Sequence, residues 1–253
     1  GVLVLTCGVD TQDNRLEYEV VGHGHGGETW GIKRGIIYGS PDSPEPWIRL
    51  DDVIEHDYKY ASGKALKISI TCIDSGGHYT QEVYEQCRAR LDKHVFAVKG
   101  KGGEGIPYIS PPSKVPIRDN KKIRCWLYIL GVDSGKTIIY DALKVQEGGG
   151  TKYCHFPDND GLGYDSVYFD GLLSETTVLV KSGGGYRVKW EKLPGHERNE
   201  PLDMRNYAIA GYRILDPDLD AIERRLKGWD EKPVAKQQPK KPKRRRDLYD
   251  SDW

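Results

Sequence analysis

A chain of 253 residues with 37% hydrophobic and 30% charged residues has the composition of a globular domain with a proper core. Its formal net charge is zero, no apolar run approaches the ~20 residues of a membrane span, and no signal peptide precedes the first strand, so a membrane-anchored or secreted chain is not expected. Five cysteines, Cys7, Cys72, Cys87, Cys125 and Cys154, have no Cys-x-x-Cys spacing and lie mostly in apolar segments, which predicts buried free thiols in a reducing compartment, not disulfides or zinc ligands.

The chain opens with the apolar run Val2–Cys7, which reads as a fully buried strand and delivers Asp10 at its end. The start at Gly1, inside a strand and without Met, is that expected of an excised C-terminal fragment. After the turn Thr11–Asn14, Leu16, Tyr18 and Val20 alternate with charged residues and predict a second strand. A third follows through Trp30, Ile32 and Ile36–Tyr38, completing an antiparallel meander. His23 and His25 sit in a glycine-rich turn with no acidic or Cys partner nearby, short of the three or four ligands a metal site needs.

Pro41, Pro44 and Pro46 break the chain, and a helix is expected from Leu50 to near Gly63. The strand 66–74 repeats the opening pattern: strict alternation puts Asp74 on the face of Leu66, Ile68, Ile70 and Cys72, the core side. Val83, Cys87 and Leu91 then stand at helical spacing within His78–Leu91, and Val95–Val98 reads as a buried strand, giving a β-α-β unit with a parallel pair. Lys99–Gly105 reads as a mobile loop whose Lys99 and Lys101 either touch phosphates or simply decorate the surface.

Two strands therefore each carry one aspartate to the edge of one core. An unpaired buried carboxylate costs several kcal/mol or takes up a proton, so each needs a cationic partner. No Arg or Lys adjoins either in sequence, and a divalent cation is the economical expectation.

Ile123–Leu130 is a further strand. The following Gly131–Thr137 invites a nucleotide reading, but only three residues separate Gly131 from the Gly135-Lys136 pair where a phosphate-binding loop needs four. Asp133 or Ser134 is instead expected to cap a helix Lys136–Val145 whose buried stripe is Ile138, Ile139, Ala142 and Leu143. Asp158–Gly161 lacks the later ligands and final Glu of a calcium loop and reads as a turn. A short extended piece, Tyr153–Pro157, precedes it; a helix, Ser166–Leu173, and a hairpin, Thr176–Val180 with Tyr186–Trp190, follow.

Asn199 or Glu200 is expected to cap a helix with Pro201 in its first turn. Asp203 lies in that turn and shares a stripe with Tyr207, Ala210 and Ile214, the face packed on the sheet. A last short helix spans Asp218–Leu226. From Asp230 on, 8 basic and 5 acidic residues, three prolines and the run Lys243-Arg244-Arg245-Arg246 predict a basic, disordered tail.

Val9-Asp10-Thr11-Gln12, Cys72-Ile73-Asp74-Ser75-Gly76, the Lys99-Gly100 pair, His155-Phe156-Pro157, Leu173-Ser174-Glu175 and Arg198-Asn199-Glu200-Pro201-Leu202-Asp203 with Tyr207-Ala208 resemble, in order and spacing, the nuclease region of the lambda-type large terminase subunits of tailed bacteriophages. The resemblance implies an α/β, ribonuclease H-like domain over 1–228: a mixed sheet made of the three-strand meander and β-α-β units, flanked by helices, with 229–253 as the tail. It implies an endonuclease cutting concatemeric DNA by two-metal-ion phosphodiester hydrolysis in the host cytoplasm. Asp10, Asp74 and Asp203 become the catalytic, metal-binding triad, Asp10 bridging two Mg²⁺ or Mn²⁺ ions, with Glu200 as an outer-shell or extra ligand. His155 is expected to be structural, since a two-metal mechanism needs no histidine base. The implied partners are double-stranded DNA, touched by Lys99, Lys101, Lys243, Arg244, Arg245 and Arg246; the small subunit; the portal or procapsid; and an N-terminal ATPase domain of the same polypeptide. No ATPase activity is expected of this segment. A module docking DNA or portal without hydrolysis is the competing expectation.

Overall fold

The structure is a computed structural model that describes residues 1–118, 120–146, 151–158 and 160–228. The elements run β1 (Val4–Gln12), β2 (Arg15–His23), β3 (Thr29–Tyr38), α1 (Glu45–Ile54), β4 (Tyr58–Lys59), β5 (Ala65–Leu66), β6 (Ile68–Asp74), α2 (Thr80–Ala89), β7 (Val95–Lys101), β8 (Ser113–Ile117), β9 (Asn120–Gly131), α3 (Val132–Leu143), β10 (Cys154–His155), α4 (Ser166–Leu172), β11 (Glu175–Ser182), β12 (Gly185–Lys192), α5 (Glu200–Leu215) and α6 (Leu219–Lys227). Gly1–Leu219 forms one compact unit, and the described residues 220–228 belong to a second.

Eight strands make one mixed sheet in the order β10-β3-β2-β1-β6-β7-β9-β8. The β1-β2-β3 meander is antiparallel, whereas β1-β6, β6-β7 and β7-β9 are parallel. This is the expected ribonuclease H-like plan. Direction changes at β1, so its carboxyl end is the kind of strand terminus at which open α/β sheets bind ligands.

β1 is buried on both faces, and each face has its own layer. Leu5, Cys7 and Val9 pack with Leu16, Tyr18, Trp47, Leu50, Val83 and Cys87 beneath α1 and α2. The opposite face carries Thr6, Gly8 and Asp10 and meets α5. The Thr6 hydroxyl donates to the Ala208 carbonyl at 2.8 Å. A Cβ at Gly8 would lie 2.0 Å from the Met204 carbonyl oxygen, so only glycine lets α5 sit this close to the strand.

Several expectations need correction. The pairing β1-β6 slips between Leu5 and Thr6, so Leu5 lies opposite Ile68 but Thr6 opposite Ile70. This irregularity turns Ile68 to the α1/α2 layer while Cys72 packs toward Tyr207 and Ala210 of α5, and strict alternation over the whole segment fails. α1 stops at Ile54, and a small β4-β5 ribbon follows in place of further helix. Lys99 and Lys101 are not in a loop: they are the exposed end of β7, paired with Ile129 and Gly131 of β9. β8 went unforeseen because Ser113, Lys114 and Pro116 are exposed and break up its apolar pattern. α3 starts earlier than expected, at Val132, and has no side-chain cap; Asp133 instead accepts the Gly103 N–H at 2.9 Å. All five cysteines are free, four of them buried. No described helix is long and apolar enough to cross a membrane.

Candidate carboxylate site

Parallel pairing sets Val9 of β1 against Ile73 of β6, which brings Asp10 and Asp74 side by side at the carboxyl ends of adjacent strands. The Thr11 hydroxyl donates to the Asp74 carbonyl at 3.0 Å and ties the two ends together. Asp203 arrives from above, in the first turn of α5, where the helix dipole favours a negative charge. Tyr207, one turn on, packs with Ala210 and Ile214 against Cys72 and Val98, so the predicted stripe of α5 is the one that faces the sheet.

Burial dominates the electrostatics of all three groups. Burial pushes the Asp10 carboxyl well above its usual range, and the charges of Asp203, Asp74 and Glu200 push the same way, opposed by a hydrogen bond from the Gln12 amide. Asp74 is raised by burial, against the Gly76 N–H (3.1 Å), the Tyr207 hydroxyl and the charge of Lys99. Asp203 is raised to about 7, again chiefly by burial, with Lys136 opposing and Glu175 and Asp74 reinforcing. Its Oδ2 accepts the Asn199 amide at 2.9 Å. The hydrogen bonds to the three aspartates thus come from amides and a phenol; none of the three makes an ion pair with Lys or Arg among the described residues.

Such a donor set is all-oxygen, anionic and short of positive charge, which suits a hard divalent cation such as Mg²⁺ or Mn²⁺. As the side chains stand, no group of three or more His, Cys, Asp or Glu among the described residues is arranged to hold a metal ion. The aspartates instead lean on Gln12, Gly76 and Asn199, contacts that a cation would compete with.

The remaining predicted residues fall in different places. Glu200 is tied to Arg15 (3.1 Å) and Arg198 (3.2 Å). His155 stacks on Trp30 at 4.6 Å, and its Nε2 meets Glu28 at 2.9 Å, a satisfied structural position away from the aspartates. His23 is buried against Thr6 Oγ1 at 2.8 Å and stacked on Tyr212; burial, together with Arg205 and Arg213, lowers it to about 3, so it is neutral. Lys99 and Lys101 lie at the carboxyl end of β7, beside β6. Lys243, Arg244, Arg245 and Arg246 lie outside the described residues.

Three charged residues escaped the sequence reading. Glu17 and Glu19, which alternate with the apolar residues of β2, are 0% exposed, because they lie opposite Asp10 and Gly8 in the β1-β2 register and so face α5. Glu17 is held by Arg15 (2.7 Å), Arg34 (2.9 Å) and Arg198; Glu19 by Arg205 and the hydroxyls of Tyr164 (3.1 Å) and Tyr168 (2.9 Å). Glu175, which accepts the Lys136 ammonium at 2.6 Å and the Asn199 amide at 3.0 Å, joins the edge of the site. Only its place in the Leu173-Ser174-Glu175 motif marked it beforehand.

A ribonuclease H-like α/β domain with acidic residues gathered at its central strand ends is thus the class that fold and site define. Residues 1–225 match the family described as "Terminase large subunit gpA, endonuclease domain", and the chain belongs to that family. It is 32% identical over 216 residues to the large terminase subunit of Escherichia phage lambda, covering 84% of this chain and 32% of that protein. Against the large terminase subunit of Enterobacteria phage P21 it is 32% identical over 219 residues, covering 84% and 33%. The chain therefore spans about a third of the length of these curated relatives. No solved structure matches it.

Proposed function

We propose that this chain is the DNA-cutting domain, residues 1–228, of a packaging terminase, and that it hydrolyses concatemeric phage DNA with Asp10, Asp74 and Asp203 as its metal ligands. The observation that carries the reading is that Asp10 and Asp74 end adjacent parallel strands and Asp203 opens the helix packed on them, all three raised in pKa chiefly by burial and none ion-paired to Lys or Arg among the described residues. Two Mg²⁺ or Mn²⁺ ions, when bound, would supply charge for activating a water and for stabilising the leaving 3′ oxygen in an in-line displacement. The protein's own part is to hold the ligands. Asp10 is fixed by β1 and Gln12, Asp74 by the Thr11 tie and the Gly76 N–H, and Asp203 by α5 and Asn199. Glu200, bridged to Arg15 and Arg198, keeps the cations of that corner engaged with acids other than Asp10.

DNA reaches the site past the exposed ends of β7, where Lys99 and Lys101 offer phosphate contacts, with the basic tail as a further electrostatic tether. The small subunit, the portal or procapsid and the ATPase part of the same polypeptide are the partners this reading requires, in the host cytoplasm. ATP hydrolysis is not assigned to this segment: Lys136, the lysine of the near-miss phosphate motif, lies inside α3 and is bonded to Glu175.

The test is nicking and linearisation of supercoiled plasmid by the wild-type chain and by Asp74→Ala, with Mg²⁺, Mn²⁺ or EDTA. Cutting that either metal supports, and that EDTA and the substitution abolish in a folded protein, is the expected result. Cutting by Asp74→Ala at the wild-type rate, or none by wild type with either metal, removes the assignment and leaves a docking module in its place.

A further inference from the structure

Beside the three aspartates lies a buried ion pair that the proposed chemistry does not use. Lys136, 8% exposed in the second turn of α3, donates to Glu175 Oε2 at 2.6 Å; Glu175, 5% exposed, opens β11. The pair is held rigidly. The Tyr140 hydroxyl donates to the Glu175 carbonyl and the Leu193 N–H to the Ser174 carbonyl at 2.8 Å, fixing the strand. A Cβ on Gly135, next to Lys136, would fall 1.8 Å from Asn206 Oδ1, so α3 is pressed onto α5 at this point.

From this pair a short path leads to the site. The other oxygen of Glu175, Oε1, accepts the Asn199 side-chain amide at 3.0 Å, and the same nitrogen donates to Asp203 Oδ2 at 2.9 Å. Asn199 stands at the N-cap of α5, where its side chain would ordinarily accept a backbone N–H. It makes no such bond; its amide joins Glu175 to Asp203 instead. Stability alone does not explain the arrangement, because a well-packed apolar pair usually serves a core at least as well as a buried ion pair.

We propose that Glu175 is a positioning residue for Asp203, acting through Asn199, and that Lys136 is the resident counter-charge for that end of the site. The inference rests on the reading that Asp10, Asp74 and Asp203 bind a divalent cation, and it deepens that reading by adding three residues with distinct roles. The roles have consequences of opposite sign. Neutralising Glu175 leaves a buried ammonium beside Asp203 to compete with a metal, whereas neutralising Lys136 leaves an extra carboxylate that attracts one. A merely structural ion pair changes melting temperature in both cases and metal affinity in neither.

The experiment is titration of the chain with Mn²⁺, reading free ion by its six-line electron paramagnetic resonance signal at fixed pH, for wild type, Asp10→Asn, Glu175→Gln, Lys136→Met, Lys136→Arg and Asn199→Ala. Glu175→Gln and Asn199→Ala are expected to weaken binding about tenfold, within the range usual for groups that orient metal ligands. Lys136→Met is expected to tighten it several-fold, and Lys136→Arg to restore wild-type affinity. Should either change in the ion pair prevent folding, Asn199→Ala, which leaves the pair intact and cuts only the link, decides alone. If Asp10→Asn loses Mn²⁺ while Glu175→Gln, Lys136→Met and Asn199→Ala bind as wild type does, the positioning role is overturned and the carboxylate reading stands. If Asp10→Asn binds as well as wild type, both fall.

Discussion

Asp10 and Glu17 face each other across the β1-β2 ladder, and both are buried on the α5 side of the sheet, at 5% and 0% exposure. Their surroundings differ completely. Glu17 is enclosed by Arg15, Arg34 and Arg198, and its neighbour Glu19 by Arg205 and two tyrosine hydroxyls. Asp10 receives a side-chain amide and repulsion from two other aspartates. One strand therefore carries acids whose charge arginines compensate, and the next carries an acid with no ion-pair partner among the described residues. A buried carboxylate needs a cation or a proton, and these two neighbours meet that need differently.

The sharpest way to break that contrast is to remove a cation from the compensated side. Arg205→Met strands Glu19 in the core, with Tyr164 and Tyr168 as its remaining donors, and breaking a buried pair of this kind costs roughly 3–5 kcal/mol. Urea denaturation of the two proteins measures it; a loss below about 1 kcal/mol would show that the tyrosines suffice and that the arginine is dispensable.

The uncompensated side responds in the other direction. With Asp203 raised to about 7, the folded chain without metal keeps a proton that the unfolded chain has released between about pH 4 and 7, so this group's contribution to stability falls as pH rises through that window. Asp203→Asn removes the penalty. At pH 7 in EDTA it is expected to be about 1–2 kcal/mol more stable than wild type, a figure discounted for partial exposure, with the difference vanishing below about pH 4. Thermal melts across the window check it, and a uniform loss of stability at every pH would contradict the electrostatic account.

The smallest effect belongs to the rim. Arg198 is 41% exposed, and Glu17 keeps Arg15 and Arg34 without it, so Arg198→Gln is expected to cost less than about 1 kcal/mol in the same urea experiment. A loss as large as that for Arg205→Met would mean that the three arginines act as one unit.

Much of the fold was legible along the chain. β1, β6 and β7 are near-continuous apolar runs, the mark of strands covered on both faces, and the order of meander, helix and strand follows from them. Asp10 and Asp74 stood out because each ends such a run, and Asp203 because α5 has a single stripe that can meet the sheet. The slip between Leu5 and Thr6 was not legible, since period-2 reading carries no information about where a ladder skips a residue. Nor was the burial of Glu17 and Glu19. In local sequence they alternate with Leu16, Tyr18 and Val20 as solvent-facing residues do, and α5 and the loop before it, roughly 180 positions later, bring Arg198 and Arg205 to them.

The sequence by itself thus determined which strands are buried, which of them end in aspartate and which helix returns to cover them, because hydrophobic periodicity is a local property. Which acids find an arginine, which find only one another, and which are joined through Asn199 and Glu175 to the Lys136 ammonium was decided by tertiary structure alone. A buried charge is satisfied through space at about 3 Å, and no spacing along the chain encodes that distance.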